Sequence, residues 1–140
     1  MASNYQSQKL NIMKKLLVLA FAAMVGFSVN AQEASWKQME DFHGVMSKTF
    51  HPAEEGNLKP LKTNIADLVA KAKAWESGAV PAGYDAKVAK PILKQLVAKC
   101  TAVEAAVKAK KSDKELTTLI TATHDVFHEL KEKCKPGEKH

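Results

Sequence analysis

The chain of 140 residues has no arginine; its 21 strongly basic side chains are all lysines. Arginine is the side chain that grips phosphates and guanine edges bidentately, so nucleic acid is not an expected partner. Two cysteines, Cys100 and Cys134, are too few for a disulfide scaffold. Glycine (six) and proline (five) are sparse, and no stretch shows the β-branched alternation of strands. Plentiful Ala, Lys, Leu and Val favour helices instead. There is no nucleophile elbow, no phosphate loop and no His-Glu-x-x-His signature, and we do not read the chain as an enzyme. Internal repeats and low-complexity segments are also lacking.

What is present begins with an address. Lys14 and Lys15 precede an apolar run from Leu16 to Val29, and Val29-Asn30-Ala31 supplies small residues before Gln32. Residues 1–31 therefore read as a cleaved secretory signal peptide, with Met13 as a second candidate start. The run is too short and wrongly flanked for a membrane span, and no cysteine follows the cut to carry a lipid. The expectation is a periplasmic or secreted product, free of the membrane after processing, with residues 32–140 as one domain. Three lysines (Lys9, Lys14, Lys15) and none of the 15 acids precede the cut, which leaves 18 lysines against 15 acids, +3. Such a balance describes a solvated lysine surface.

Four amphipathic segments follow. In the first, Met39, His43, Met46 and Phe50 recur at steps of four, three and four, and Pro52 is expected to end or kink it, with Glu54 to Asn57 as a turn. The second opens at Pro60, carries Leu61, Ile65, Leu68, Ala72 and Trp75 on one face, and stops at Ser77-Gly78. Asp85 caps the third, with Val88, Ile92, Leu96, Cys100, Val103 and Val107 inside and Pro91 tolerated near its start. Ser112 and Glu115 form a capping box for the fourth, which buries Leu116, Ile120, Thr123, Phe127 and Leu130 and ends at Lys135-Pro136-Gly137. The fold class expected is all-α: an antiparallel up-down-up-down four-helix bundle, monomeric or dimeric, with a hairpin swap between two chains sharing the same periodicity.

Four of the five histidines fall in two clusters. His124 and His128 stand one helical turn apart, a half-site for a transition metal, while His43 and His51 lie with Glu54 and Glu55 near the first helix. Pairing Trp36 with Cys134 sets the levels of the outer helices. His43 then falls beside Phe127 and His128, Met46 beside His124, and His51 further along near Leu119. Cys100 comes out level with Ala122 or Thr123, and Cys134 lies about 16 Å away along the axis, too far for a disulfide that needs α-carbons within about 7 Å. Cys100 reads as a small buried residue, and Cys134, on an exposed end, as a candidate link between two chains. Two imidazole sets and a carboxylate pair suit zinc, copper, nickel or iron, with His43, His51, Glu55, His124 and His128 as ligands and Glu54 as an alternative.

An exported four-helix bundle of this length, with a histidine late in the last helix, resembles the cytochrome c-prime superfamily, including its soluble periplasmic b-type members. In that family the haem histidine closes a Cys-x-x-Cys-His run. The matching stretch here, His124 to His128, has His124 and Phe127 in place of the two cysteines, so the resemblance implies no covalent haem. By analogy with the b-type members it implies Met39 and His128 as axial ligands of haem b in an electron carrier with a redox partner protein. His51-x3-Glu55 and His124-x3-His128 are also similar in spacing to hemerythrin-like bundles. Three readings stand: a transition-metal binder, a haem b electron carrier, and a metal-free helical interaction module.

Overall fold

The protein's computed structural model describes residues 35–134. The expected signal peptide (1–31), the Lys135-Pro136-Gly137 stop and His140 lie outside the described residues. Within the described residues there are four helices and no strand: α1 (Lys37–Glu54), α2 (Lys59–Ser77), α3 (Ala86–Lys108) and α4 (Asp113–Lys133). They form a four-helix bundle in which each helix packs on the next. α1 and α4 meet along the most sparsely packed of the four seams.

Local chemistry sets the helix ends. Asp85 accepts hydrogen bonds from the backbone N–H groups of Lys87 (2.9 Å) and Val88 (3.4 Å), which starts α3. The Ser112 hydroxyl accepts from the Glu115 N–H at 3.2 Å, and the Glu115 carboxylate accepts from the Ser112 N–H at 3.1 Å, completing the capping box of α4. Each such cap stabilises its helix by about 1 kcal/mol. Pro52 does not end α1. It sits inside the last turn, and the helix closes after it. The Asn57 N–H reaches back to the Pro52 carbonyl (2.8 Å) and the Gly56 N–H to that of Ala53 (3.1 Å), with Gly56 at φ +86°. This reversal needs a left-handed residue, and glycine adopts it without a β-carbon clash. His51 therefore projects from a regular helical turn.

The buried face of α1 differs from the expected stripe. Phe42, Met46, Thr49, Phe50 and Ala53 are buried, Met39 is half-buried and His43 is exposed. The steps Phe42–Met46–Thr49–Ala53 follow the helical period as well as the expected series does; Met46 and Phe50 are common to both faces, and the buried face turns by about 50°. An aromatic ring takes the centre, where an imidazole would need partners for both nitrogens. The expected interiors of α2 and α4 are buried throughout. In α3, Val88 and Val107 are only half-buried, while Ala89, Leu93 and Ala106 are buried along with the expected Ile92, Leu96, Cys100 and Val103.

A layer of rings joins the helices. Phe42 lies 5.6 Å from both Trp75 and Phe127, and Trp75 lies 6.2 Å from Phe127. Beyond it, Trp36 meets Trp75 edge-on at 5.4 Å and Tyr84 at 4.8 Å. The indole N–H groups of Trp36 and Trp75 are buried with no hydrogen-bond acceptor. The edge-to-face contact of the two rings suits their quadrupoles.

Both cysteines are free and buried. Burial pushes the Cys100 thiol up to about 12. Cys134 is not the exposed link expected from the sequence: at 2% exposure it belongs to the core. It continues the Phe127–Leu130 face by one more turn, which turns it inward. Its thiol is raised by burial and by the neighbouring carboxylates of Asp85 and Glu129.

Two outcomes follow from this packing. Phe127→Ala should lower the unfolding free energy by about 3–5 kcal/mol, the cost of emptying a ring from a filled core, as read by urea denaturation. At pH 8 a thiol reagent such as Ellman's should leave both cysteines of the native protein largely unmodified and titrate both after unfolding.

Candidate metal centre at the seam of the first and last helices

His124 and His128 leave α4 one turn apart, on the side that faces α1. His124 is half-buried and His128 is exposed. Their Nε2 atoms stand 3.2 Å apart. At that distance one Nε2–H can donate to the other ring's lone pair. A shared ion can also take both lone pairs once each proton resides on Nδ1.

Phenylalanine rings hold these imidazoles in place. His124 stacks on Phe50 with centroids 3.8 Å apart and planes 13° from parallel. His128 stands edgewise to Phe127 at 5.6 Å and 71°. Phe127 also carries His43, stacked at 5.2 Å and 15°. The contacts Phe42–Phe127 and Phe50–His124 show residue numbers rising along α1 as they fall along α4.

The His51 ring centroid lies 6.4 Å from that of His124, a neighbour the levelling did not give it. Side chains lean toward the N-terminus of their own helix, so His51 and His124, on oppositely running helices, lean toward each other. The ring packed on His124 is Phe50, and Met46 is buried in the core. The His51 Nδ1 lies 3.3 Å from a Glu54 carboxylate oxygen, one turn on in α1. Glu55, the predicted i+4 partner, caps the helix and is exposed. His43 is brought to the seam, but its ring faces Phe127 (5.2 Å). Among the described residues, no group of three or more His, Cys, Asp or Glu side chains is already gathered around one point.

The electrostatics favour neutral rings. Burial, reinforced by Lys131, His128 and His51, holds His43 below the usual imidazole range. Burial also lowers His124, aided by His128 and His51 against the opposing pull of Asp125 and Glu54. A neutral imidazole is the form that ligates.

The phenylalanines are what the expectation lacked, and a signal for them exists. Every phenylalanine after residue 31 is followed directly by a histidine: Phe42-His43, Phe50-His51 and Phe127-His128. Neighbours on a helix point about 100° apart, so a buried ring leaves the next side chain at the edge of the seam.

A porphyrin fits poorly between Met39 and His128. Met39 is half-buried against the core and His128 is exposed, while Phe42, Trp75 and Phe127 fill the layer behind them. Among the described residues, no helix is long and apolar enough to cross a membrane. Comparisons with protein-family models, curated proteins and solved structures return no match.

The lowered histidines give a pH dependence. Between their folded values and the ordinary 6.5, the unfolded chain binds more protons than the folded one, so stability rises with pH there. Their contribution is complete above 6.5 and is lost as pH falls toward the folded values. Urea midpoints compared at pH 7.5 and 5.5 should drop on acidification, and a His43→Gln/His124→Gln double variant should show a smaller drop.

Proposed function

We propose that this chain is an exported, non-enzymatic metal-binding protein that takes a transition-metal ion on the Nε2 atoms of His124 and His128. The observation that carries the reading is the 3.2 Å separation of those two nitrogens, each on a ring braced by phenylalanine. His51 is the third ligand. Its Nδ1 is occupied by Glu54, which leaves Nε2 free for an ion, and a small side-chain rotation closes the 6.4 Å between rings. A carboxylate behind a ligating imidazole fixes its tautomer and raises its basicity. His43 lies at the margin and Glu55 outside.

The scaffold in this reading is an up-down-up-down bundle. Support comes from Trp36, before α1, meeting Trp75 near the end of α2, and from α1 and α4 running oppositely. Export rests on the signal-like run before Gln32. The layout keeps its resemblance to the cytochrome c-prime superfamily, while the filled ring layer favours a bare ion over haem.

Zinc titration of residues 32–140 by competition with a chromophoric chelator tests this. His124→Ala or His128→Ala should weaken binding about a hundredfold, and His51→Ala or Glu54→Gln about tenfold, with helicity retained by circular dichroism. Unchanged affinity in the His124→Ala/His128→Ala double variant would overturn the assignment.

A further inference from the structure

We infer that the outer face of α3 is a docking surface for an anionic lipid bilayer, held there by lysines with no segment entering the membrane. The excess charge of residues 32–140 sits on this one helix. α3 carries five lysines and one acid, +4, whereas the other residues of that span carry 13 lysines against 14 acids, −1. From Lys87 to Val103 the helix has no carboxylate. Lys87, Lys90, Lys94 and Lys108 fall within an arc of about 60°, and Ala98, Thr101 and Ala105 lie between them along the helix. All of these side chains are exposed. Among the described residues, Lys87, Lys90 and Lys94 meet no carboxylate, and of the four only Lys108 is paired, to Glu104 at 3.3 Å.

Position and composition together select the partner. α3 packs on α2 and α4 but not on α1, so its outer face turns away from the seam that carries the histidines. Adsorption there leaves His124 and His128 open, and the inference does not depend on what they bind. Protein interfaces are anchored by Trp, Tyr, Met or Arg at their centre, and α3 has none of these. What the face offers is charge on a smooth row of small side chains, with Lys87 and Lys94 about 10 Å apart along the axis. A sheet of anionic headgroups asks for little more, since each lysine near such a surface strengthens adsorption about fivefold. The contact is peripheral: among the described residues no helix is long and apolar enough to cross a membrane.

Co-sedimentation of residues 32–140 with lipid vesicles tests this. The protein should pellet with phosphatidylcholine vesicles that contain about a third phosphatidylglycerol at about 20 mM NaCl. It should stay in solution with pure phosphatidylcholine, or once about 300 mM NaCl screens the charges. Lys87→Gln/Lys90→Gln/Lys94→Gln should lower the partition coefficient about a hundredfold, at about fivefold per lysine. Lys48→Gln/Lys59→Gln/Lys73→Gln removes the same charge from exposed positions on α1 and α2 and should lower it far less, with helicity retained in both by circular dichroism. Equal losses in the two triple variants, or no adsorption at low salt, would overturn the assignment of this face. Binding to poly-L-glutamate through the same three lysines without adsorption to vesicles would overturn the lipid surface as the partner.

Discussion

The Phe127 ring is the contact on which both the interior of the bundle and its histidine-bearing surface depend. It packs on Phe42 and Trp75 inside the bundle, and on His43 and His128 at the surface. One residue thus ties the hydrophobic layer to the histidine patch. The seam it spans is the least densely packed in the bundle, so ring contacts carry much of the closure between α1 and α4. Filling the core and posing the imidazoles are the same physical act. A substitution that loosens one loosens the other.

That double use explains what could and could not be read from the sequence. The helices were legible because their boundaries depend on local chemistry: Asp85, the Ser112–Glu115 box and the apolar period of α2 and α4 act within a few residues. The position of the stripe on α1 was less legible, because Met39-His43-Met46-Phe50 and Phe42-Met46-Thr49-Ala53 fit the period equally well. Which face turns inward depends on Trp75 and Phe127, contributed by distant helices. The burial of Cys134 and the nearness of His51 to His124 were missed for related reasons. Levels counted along helix axes ignore where a side chain leans, and the last turn of α4 continues a buried face that composition alone does not mark. The sequence reading set His43 beside His128 and brought His51 in only as an addition from the turn that follows; the phenylalanine supports were not anticipated.

The patch also has a chemical character unlike its surroundings. A lysine-rich surface favours charge almost everywhere, yet here partial burial and nearby positive groups hold His43 and His124 below the usual imidazole range. Protons are the usual competitors of a metal for imidazole. A lowered proton affinity at His124 leaves an ion less to displace there. The Glu54 carboxylate adds direction, engaging one nitrogen of His51 and leaving the other available.

The paired tryptophans at the other end of the aromatic stack give the molecule an optical property. The chain has two indoles, and both are buried and in edge-to-face contact. Their emission therefore arises from a single dry location and shifts to longer wavelength only when water enters there. Fluorescence consequently reports the junction of Trp36, Trp75 and Tyr84. Fraying confined to the far turns of α1 and α4 would leave the signal nearly unchanged.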